Sequence, residues 1–245
     1  MSGKGNVATR PEGLGRPSLS AKIESVQQFA LFASVCTADC AAIISVGHKK
    51  RLYRRQNLFS PGDPADQVFL VLSGSVKMTQ IGFGGGEVML RVGGVGDLVG
   101  TFGLWPDDKH NCVAQAAQAG AALVWDSATF AKLLDDFARL RHNTFRVLEE
   151  RLREMEQRFR ELSTDNVPSR LSSELIRLSK RFGSDVKENG EIHLSQADLA
   201  QLTGTTVPTV SRLLGRWEKS GVVSVRRKAV QVHDLAALAR FSQSR

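Results

Sequence analysis

Residues 195–221 read SQADLAQLTGTTVPTVSRLLGRWEKSG, and their pattern predicts two short helices joined by a tight turn. Ser195 is of the residue types that cap a helix N-terminus, and Gly204 supplies the left-handed conformation that a sharp turn needs. Pro208 falls in the first turn of the second helix, where its missing N–H loses no hydrogen bond. Apolar residues recur at helical spacing at positions 199, 202, 207, 210, 213, 214 and 217. The stretch therefore predicts a helix-turn-helix.

The segment that follows predicts a two-stranded wing. Residues 222–232, VVSVRRKAVQV, alternate in polarity and place Arg226, Arg227 and Lys228 at the tip of a hairpin. Residues 167–245 hold 13 lysines and arginines against seven acidic residues, within a whole-chain net charge of +8. Such a local excess favours a polyanionic partner such as nucleic acid. We predict a winged helix-turn-helix domain over 167–245.

Docking of a helix-turn-helix on duplex DNA assigns roles to individual side chains. The second helix enters the major groove with its N-terminal residues, and the first crosses the phosphate backbone. Arg212 can pair with both acceptors of a guanine, and Val207 can touch a thymine methyl group. The predicted base contacts are Val207, Pro208, Ser211 and Arg212, with Thr206 as the cap of the second helix. The predicted phosphate contacts are Gln196, Thr205, Thr206, Thr209, Arg216, Lys219, Arg226, Arg227 and Lys228.

In the first half of the chain, apolar residues follow the pattern of short strands rather than that of helices. Residues 58–81, LFSPGDPADQVFLVLSGSVKMTQI, form short strand-like runs between turn signals, as do 87–92 and 112–126. Short strands with glycine-rich turns predict an antiparallel β-barrel or sandwich over residues 23–126. Residues 1–22 are rich in Gly, Pro, Ser and basic side chains, so they predict a disordered arm.

Residues 127–164 predict one long helix that carries an apolar seam. The seam residues are spaced by three and four in alternation, which is an a/d heptad pattern flanked by Glu and Arg. The alternative is an amphipathic helix that packs on its own domain. We favour a homodimer, because the charged flanks continue beyond what a small β domain could cover. The predicted seam consists of Phe145, Leu148, Leu152, Met155, Phe159 and Leu162.

The order of β domain, long helix and winged helix-turn-helix resembles the CRP/FNR superfamily of bacterial transcription regulators. Three motifs carry the resemblance: LFSPGDPADQVFLVLSGSVKM (58–78), GDLVGTFGLW (96–105) and LAQLTGTTVPTVSRLLGRWEKSG (199–221), the last most similar to the FNR branch. The resemblance implies an α+β fold: a cyclic-nucleotide-binding-like jelly roll as sensor over 23–126, a dimerisation helix over 127–164, and a winged helix-turn-helix. It also implies a cytoplasmic homodimer that binds an inverted repeat and contacts RNA polymerase. In the family a Glu commonly stands at the position of Pro208 and accepts from cytosine, so Arg212 carries more of the readout here.

The same resemblance bears on the signal. In cyclic-AMP-binding members a Glu follows the glycine that matches Gly100, and an Arg–Ser pair lies about ten residues later. Here Thr101, Asn111 and Cys112 occupy those positions. An anionic phosphate without its cation would be a costly unpaired charge, so we predict a signal other than cyclic AMP. The predicted effector pocket comprises Gly100, Thr101, Asn111, Cys112 and Arg141.

The cysteines and histidines bear on whether the chain senses its signal through an iron–sulfur cluster, a thiol or haem. FNR itself holds an iron–sulfur cluster with cysteines of its N-terminal arm and one internal cysteine, four thiolates in all. This chain has three cysteines, Cys36, Cys40 and Cys112, and none within residues 1–35. No cluster is predicted. A redox role for Cys36 and Cys40, a regulator without a small ligand, and haem remain alternatives. The candidate axial ligands of haem are His110, Cys112 and His142.

An alternative from a different function class is an enzyme that carries an accessory helix-turn-helix. The sequence offers no nucleophile–base pair, metal cluster or phosphate-binding loop, because its glycine-rich runs lie between strands rather than before a helix. No apolar run is long enough to span a bilayer, and residues 1–18 lack the apolar core of a secretory signal. We therefore expect neither an enzyme nor a membrane protein.

Overall fold

The computed structural model describes residues 19–82, 84–100, 109–182 and 191–242. Thr101 and positions 1–18 of the predicted arm lie outside these ranges. The first helix, α1 (Leu19–Gln27), begins within the last four positions of that predicted arm. In the described ranges, no helix has the length and apolar character needed to cross a membrane.

The β domain contains two antiparallel four-stranded sheets within the described residues, which confirms the predicted antiparallel architecture. The first sheet has the order β1-β8-β3-β6 and the second the order β2-β7-β4-β5. Apolar side chains of both sheets, such as Phe69, Val71, Val76 and Ala114, share one buried cluster. The strands are β1 (His48–Leu52), β2 (Asn57–Phe59), β3 (Gln67–Ser73), β4 (Val76–Ile81), β5 (Glu87–Gly93), β6 (Leu98–Gly100), β7 (Val113–Ala116) and β8 (Gly120–Asp126).

Helices cover the other face of the first sheet. Successive residues of a strand point to opposite faces, so Val68 and Leu70 of β3 pack in a second cluster with α1 and α2 (Thr37–Ser45). The indole Nε1 of Trp125 donates to the carbonyl oxygen of Ile43 at 2.9 Å. Asn143 Nδ2 donates to the carbonyl oxygens of Leu31 and Ala33, at 2.9 Å each. The start of the long helix is thereby fixed to the N-terminal segment.

The helix predicted over 127–164 is corrected to two helices. Helix α3 (Ser127–Asp136) ends before Phe137, and α4 (Ala138–Thr164) begins after it. Phe137 has φ −117° and ψ 89°, outside the helical region, and its ring packs half-buried against the cluster of the first sheet and N-terminal helices. This packing interrupts the helix although the residues on both sides favour helix.

The C-terminal part forms the predicted winged helix-turn-helix. Its small sheet has the order β10-β11-β9, and buried residues such as Leu175, Leu199, Val210 and Trp217 form its core. Met89 and Val92 of β5 belong to the same apolar cluster, so this domain packs directly on the second sheet. The elements are α5 (Val167–Phe182), β9 (Glu191–Ile192), α6 (Gln196–Thr203), α7 (Val207–Lys219), β10 (Val223–Arg226), β11 (Ala229–Val232) and α8 (Leu235–Ser242).

A network of buried charges joins α4 to α5. Arg177 donates from Nη1 and Nη2 to the two carboxylate oxygens of Glu161, at 2.7 and 2.8 Å, and from Nη2 to Glu174 at 2.8 Å. Arg158 Nη2 donates to the other oxygen of Glu174 at 2.7 Å. Burial on its own would lower the pKa of Arg177, but its hydrogen bonds to Glu161 and the charge of Glu174 raise it above its ordinary value. We call these four residues the junction network.

The packing of Gly120 yields a stability prediction. A methyl group on Gly120 would overlap the carbonyl oxygen of Ser73 and lie 2.9 Å from the backbone nitrogen of Gly74. We expect Gly120→Ala to lower the free energy of unfolding by about 1–3 kcal/mol, because the backbone must shift. Gly215→Ala is the matched control, since outside its own helix backbone no atom lies within 4 Å of the added carbon.

The control should raise the free energy of unfolding by about 0.5–1 kcal/mol through helix propensity. Urea denaturation of both variants measures the difference. Equal stability changes in the two variants would contradict the packing argument.

Candidate nucleic-acid interface

The helix-turn-helix is built by local interactions. Ser195 Oγ accepts from the backbone N–H of Asp198 at 3.1 Å, and the Asp198 carboxylate accepts from the backbone N–H of Ser195 at 2.9 Å. This reciprocal capping box starts α6 and confirms Ser195 as its cap. Gly204 ends α6 with φ 59° and ψ 47°, the predicted left-handed conformation. The turn into α7 is thus set by its own sequence.

Helix α7 has one buried and one exposed face. Val210, Leu213, Leu214 and Trp217 are buried in the domain core. The predicted base contacts Val207, Pro208, Ser211 and Arg212 are all exposed, as are Arg216 and Lys219. Pro208 lies in the first turn of the helix, as predicted.

The predicted capping role of Thr206 needs correction. Thr206 occupies the N-cap position of α7, but its side chain makes no capping hydrogen bond to the backbone. Its hydroxyl instead lies 3.0 Å from the hydroxyl of Thr209. The two exposed or half-exposed hydroxyl groups stand at the start of α7, where backbone N–H groups favour an anion.

The wing places its three cations on the surface. Arg226, Arg227 and Lys228 are exposed at the turn between β10 and β11. Arg226 Nη1 forms a 2.6 Å ion pair with Glu191, which connects the wing tip to β9 of the same sheet. Gln196 and Thr205 are half-buried at the start of α6 and in the turn between α6 and α7.

The predicted effector residues occupy separate surroundings. Gly100 ends β6 with φ 108°, and a Cβ there would lie 2.6 Å from the carbonyl oxygen of Gln67. Asn111 is exposed, and Cys112 is half-buried against the cluster between the sheets. Arg141 is exposed on α4, and its Nη1 donates to the carbonyl oxygen of Leu134 in α3 at 3.3 Å.

Sequence reasoning missed two arginines near the end of β6. Arg91 of β5 donates from Nη2 to the carbonyl oxygen of Leu98 at 2.7 Å, and Arg151 of α4 donates to the same oxygen. Burial lowers the pKa of Arg91, and burial together with the charge of Arg91 lowers the pKa of Arg151 to about 9. With a pKa of about 9, Arg151 stays charged at pH 7. A lone arginine within the apolar run of β5 was the available signal.

The shared carbonyl group links three elements. Leu98 lies in β6, which borders the predicted effector pocket, and Arg151 lies in the middle of α4. Hydrogen bonds from charged donors are stronger than those between neutral groups. These hydrogen bonds tie β6 to the middle of the long helix.

The three cysteines differ in their exposure to solvent. Cys36 is exposed at the N-cap of α2, whereas Cys40 is buried and its thiol donates to the carbonyl oxygen of Val35 at 3.7 Å. Burial raises the pKa of the Cys40 thiol and, despite the nearby charge of Arg91, that of Cys112. A raised pKa depletes the reactive thiolate. Across the described ranges, no three His, Cys, Asp or Glu side chains form a group that could hold a metal ion.

The candidate haem ligands lie on opposite sides of the first sheet. His110 is buried and stacks on Phe59, with ring centroids 3.5 Å apart, and Phe59 belongs to the cluster between the two sheets. His142 is exposed on α4, which packs on the opposite face of that sheet. Cys112 lies on the same side as His110. These side chains do not fit a haem held between β domain and long helix by His110 and His142.

Comparison with known proteins connects both parts to described families. Residues 49–137 match the cyclic nucleotide-binding domain, and residues 169–241 match the Crp-like helix-turn-helix domain. The chain is 32% identical over 199 residues to the "Anaerobic regulatory protein" of Haemophilus influenzae, covering 79% of this chain and 76% of that protein. It is 29% identical to the "Fumarate and nitrate reduction regulatory protein" of Escherichia coli, covering 80% and 79%.

Solved structures show the same fold at lower identity. FixK2 from Bradyrhizobium japonicum superposes with a TM-score of 0.71 at 18% identity, over 82% of this chain and 99% of that one. TTHA1359, a CRP/FNR-family regulator from Thermus thermophilus, superposes with a TM-score of 0.64 at 22% identity, over 81% and 100%. At such identities the likeness concerns the fold.

The capping box yields a prediction about pH. Burial alone would raise the pKa of Asp198, but hydrogen bonds from Ser195 and the charge of Lys77 outweigh it and lower that pKa below 3.8. The carboxylate therefore stabilises the fold above pH 3.8, and this contribution is lost as the pH falls through the lowered value. Ser195→Ala should raise the pKa of Asp198 and cost about 1 kcal/mol of stability at pH 7.

Carbon-13 NMR titration of Asp198 and urea denaturation measure the two effects. Ser220→Ala serves as control, because it removes a serine hydroxyl that donates to the carbonyl oxygen of Arg216 at the end of α7. The stability difference between wild type and Ser195→Ala should shrink at low pH. An Asp198 pKa that stays low in Ser195→Ala would refute this account.

Proposed function

Because the chain belongs to the CRP/FNR family of transcription regulators and carries a DNA-binding helix-turn-helix, we propose that it binds an inverted repeat in duplex DNA as a homodimer. Proteins of this family are regulators rather than enzymes, so the chain is not an enzyme. The exposed face of α7 carries the proposal. Its four candidate base contacts are accessible, while the opposite face holds the domain core.

We assign direct base readout to the N-terminal half of α7. Arg212 presents two parallel donors to the acceptors of a guanine in the major groove. Pro208 has no acceptor for a cytosine amino group, so the preference at that base pair should be relaxed. Arg216, Lys219 and the exposed wing tip supply charge to the phosphate backbone, which positions the helix without reading sequence.

The exposed seam of α4 supports the homodimer. Leu148 is half-buried on its own chain, but the five other seam residues are exposed, with Phe159 reaching 73% and Met155 64%. A contiguous row of large apolar side chains on a 27-residue helix marks an interaction surface. A second copy of the chain presents the same a/d pattern and completes the seam.

For the sensor, we propose a signal other than cyclic AMP. Asn111 and Cys112 offer no cation at the positions where related cyclic-AMP-binding proteins place Arg and Ser. The relatives named anaerobic regulatory proteins raise the question of an iron–sulfur cluster, but three cysteines of unlike surroundings do not supply four ligands. The shared Leu98 carbonyl and the junction network support transmission from β6 through α4 to the winged domain.

The proposed activity also implies a compartment and a partner. A bacterial regulator of transcription acts where the chromosome and RNA polymerase are, which is the cytoplasm. We propose RNA polymerase as its protein partner on that basis.

The DNA-binding proposal is tested by selection of sites from random duplexes, followed by fluorescence anisotropy at several salt concentrations. Wild type should select an inverted repeat. Arg212→Ala should lose about 1–3 kcal/mol of discrimination at one guanine of each half-site. Lys219→Ala is the matched control, and should weaken binding to all sequences equally while lowering the slope of log K against log salt by about one per phosphate contact. Selection of no repeat by wild type would refute the proposal.

The dimer proposal is tested by two double variants of α4. Leu152→Gln/Phe159→Gln places amides in the seam, so we expect a shift to monomer by at least about tenfold in the dissociation constant. Arg146→Gln/Arg160→Gln adds the same side chains at exposed positions beside the seam and should leave the dimer intact. Analytical ultracentrifugation measures both. A dimer of unchanged affinity in the seam variant would place the interface elsewhere.

A further inference from the structure

The apolar seam of α4 has two flanks with different surroundings. With Phe145 at the first a position, the heptad pattern assigns every other residue of the helix. The g flank is buried or half-buried and bonds through two arginines to carbonyl oxygens of the chain's own strands β6 and β5; it consists of Thr144, Arg151 and Arg158. The e flank is exposed and consists of Glu149, Glu156 and Ser163. The chain therefore covers one flank itself and leaves the other open to a second chain.

On the g flank, Arg151 shares the carbonyl oxygen of Leu98 with Arg91 of β5. Two guanidinium groups at one acceptor repel each other, and partial burial strengthens that repulsion. Nη1 of Arg91 is buried, and among the described residues no acceptor lies within hydrogen-bond distance of it. Asp97 adds negative charge near both groups, but its carboxylate accepts from the backbone N–H of Gly94 at 2.7 Å. A further carboxylate beside this pair would stabilise it.

Glu156 is available for a contact outside its own chain. It is exposed on the e flank, and it makes no hydrogen bond or ion pair with any residue that the structure describes. Glu149, at the preceding e position, is instead paired with Arg153 of its own helix at 2.6 Å. The carboxylate of Glu156 is therefore the one on this flank that a partner chain can engage without breaking an existing contact.

The geometry of a parallel dimer determines what Glu156 meets. Binding of an inverted repeat puts both copies of α7 on the same duplex, so the two α4 helices run parallel. In a parallel two-stranded coil, a g residue of one helix faces the e residue of the next heptad on the other. The resulting pairings are Thr144 with the partner's Glu149, Arg151 with the partner's Glu156, and Arg158 with the partner's Ser163. Among these, only Arg151 with the partner's Glu156 joins opposite charges.

We propose that the partner's Glu156 forms an ion pair with Arg151 across the seam and thereby places a carboxylate beside the Arg91–Arg151 pair. This inference rests on the proposed homodimer. By symmetry the contact forms twice, once at each β domain. It connects the partner's α4 to the Leu98 carbonyl group and hence to β6, so each β domain is completed by the helix of the other chain. The anion at this position is then supplied by the protein itself, and no small anionic ligand is needed there.

Exchange of charges between two variants tests the pairing. Arg151→Glu and Glu156→Arg each place like charges at both contacts of their own homodimer, so each dissociation constant should rise by about a hundredfold. A mixture of the two restores opposite charges at both contacts and should form heterodimers with about the affinity of wild type. Analytical ultracentrifugation and native mass spectrometry measure the affinities and the composition of the mixture.

Glu150→Arg and Arg160→Glu are the matched controls, since both residues are exposed and lie outside the e and g flanks. They should dimerise as wild type does and mix in statistical proportion. Glu156→Gln keeps the test decisive if Arg151→Glu does not fold, because Glu156 makes no contact within its own chain among the described residues. Its dissociation constant should rise by about tenfold, whereas that of Glu150→Gln should not change.

An unchanged dissociation constant in Glu156→Gln, or statistical mixing of Arg151→Glu with Glu156→Arg, overturns the inference and leaves the homodimer standing. A wild type that stays monomeric would refute the proposed homodimer and this inference with it.

Discussion

Two carboxylates buried where α4 meets α5 require cationic partners, and this requirement sets how the two halves of the chain are joined. Glu161 is 3% exposed and Glu174 1%. Removing one partner of such a buried pair typically costs about 3–5 kcal/mol, because the other charge stays buried alone. The fork of Arg177 meets both carboxylates, and such bidentate geometry fixes direction as well as distance. Packing alone would allow a range of angles between the helices.

The junction network also reaches the sensor. Arg158, which holds Glu174, donates from Nη1 to the carbonyl oxygen of Leu90 in β5 at 2.7 Å. Arg181 of α5 donates to the carbonyl oxygen of Val92 and pairs with Glu154. The second sheet, the long helix and the winged domain are thus connected by guanidinium groups that bond to backbone carbonyls.

Local chemistry explains why the DNA-binding half was predictable. The cap at Ser195, the glycine turn at Gly204 and the first-turn proline at Pro208 act through neighbours within four residues, so they are visible in sequence. The break at Phe137 was not, because it results from packing against helices about 100 residues earlier. Arg91 and Arg151 were missed for the same reason, since they meet at a carbonyl oxygen that neither residue's neighbours reveal. The two-residue strand β9 is too short to give a period.

The exposure of α7 has a consequence for how such a regulator is switched. Because α7 already faces solvent, its DNA-reading face needs no uncovering; in the proposed homodimer, control would act through the spacing between the two copies of α7. Helix α4 has 27 residues and is about 40 Å long at 1.5 Å per residue. Tilting a helix of that length by about 5° moves its far end by about 3–4 Å. Half-sites on DNA are separated by one turn of the double helix, about 34 Å. In the proposed homodimer, a rotation this small at the seam would match or mismatch the separation of the two copies of α7 to that of the half-sites.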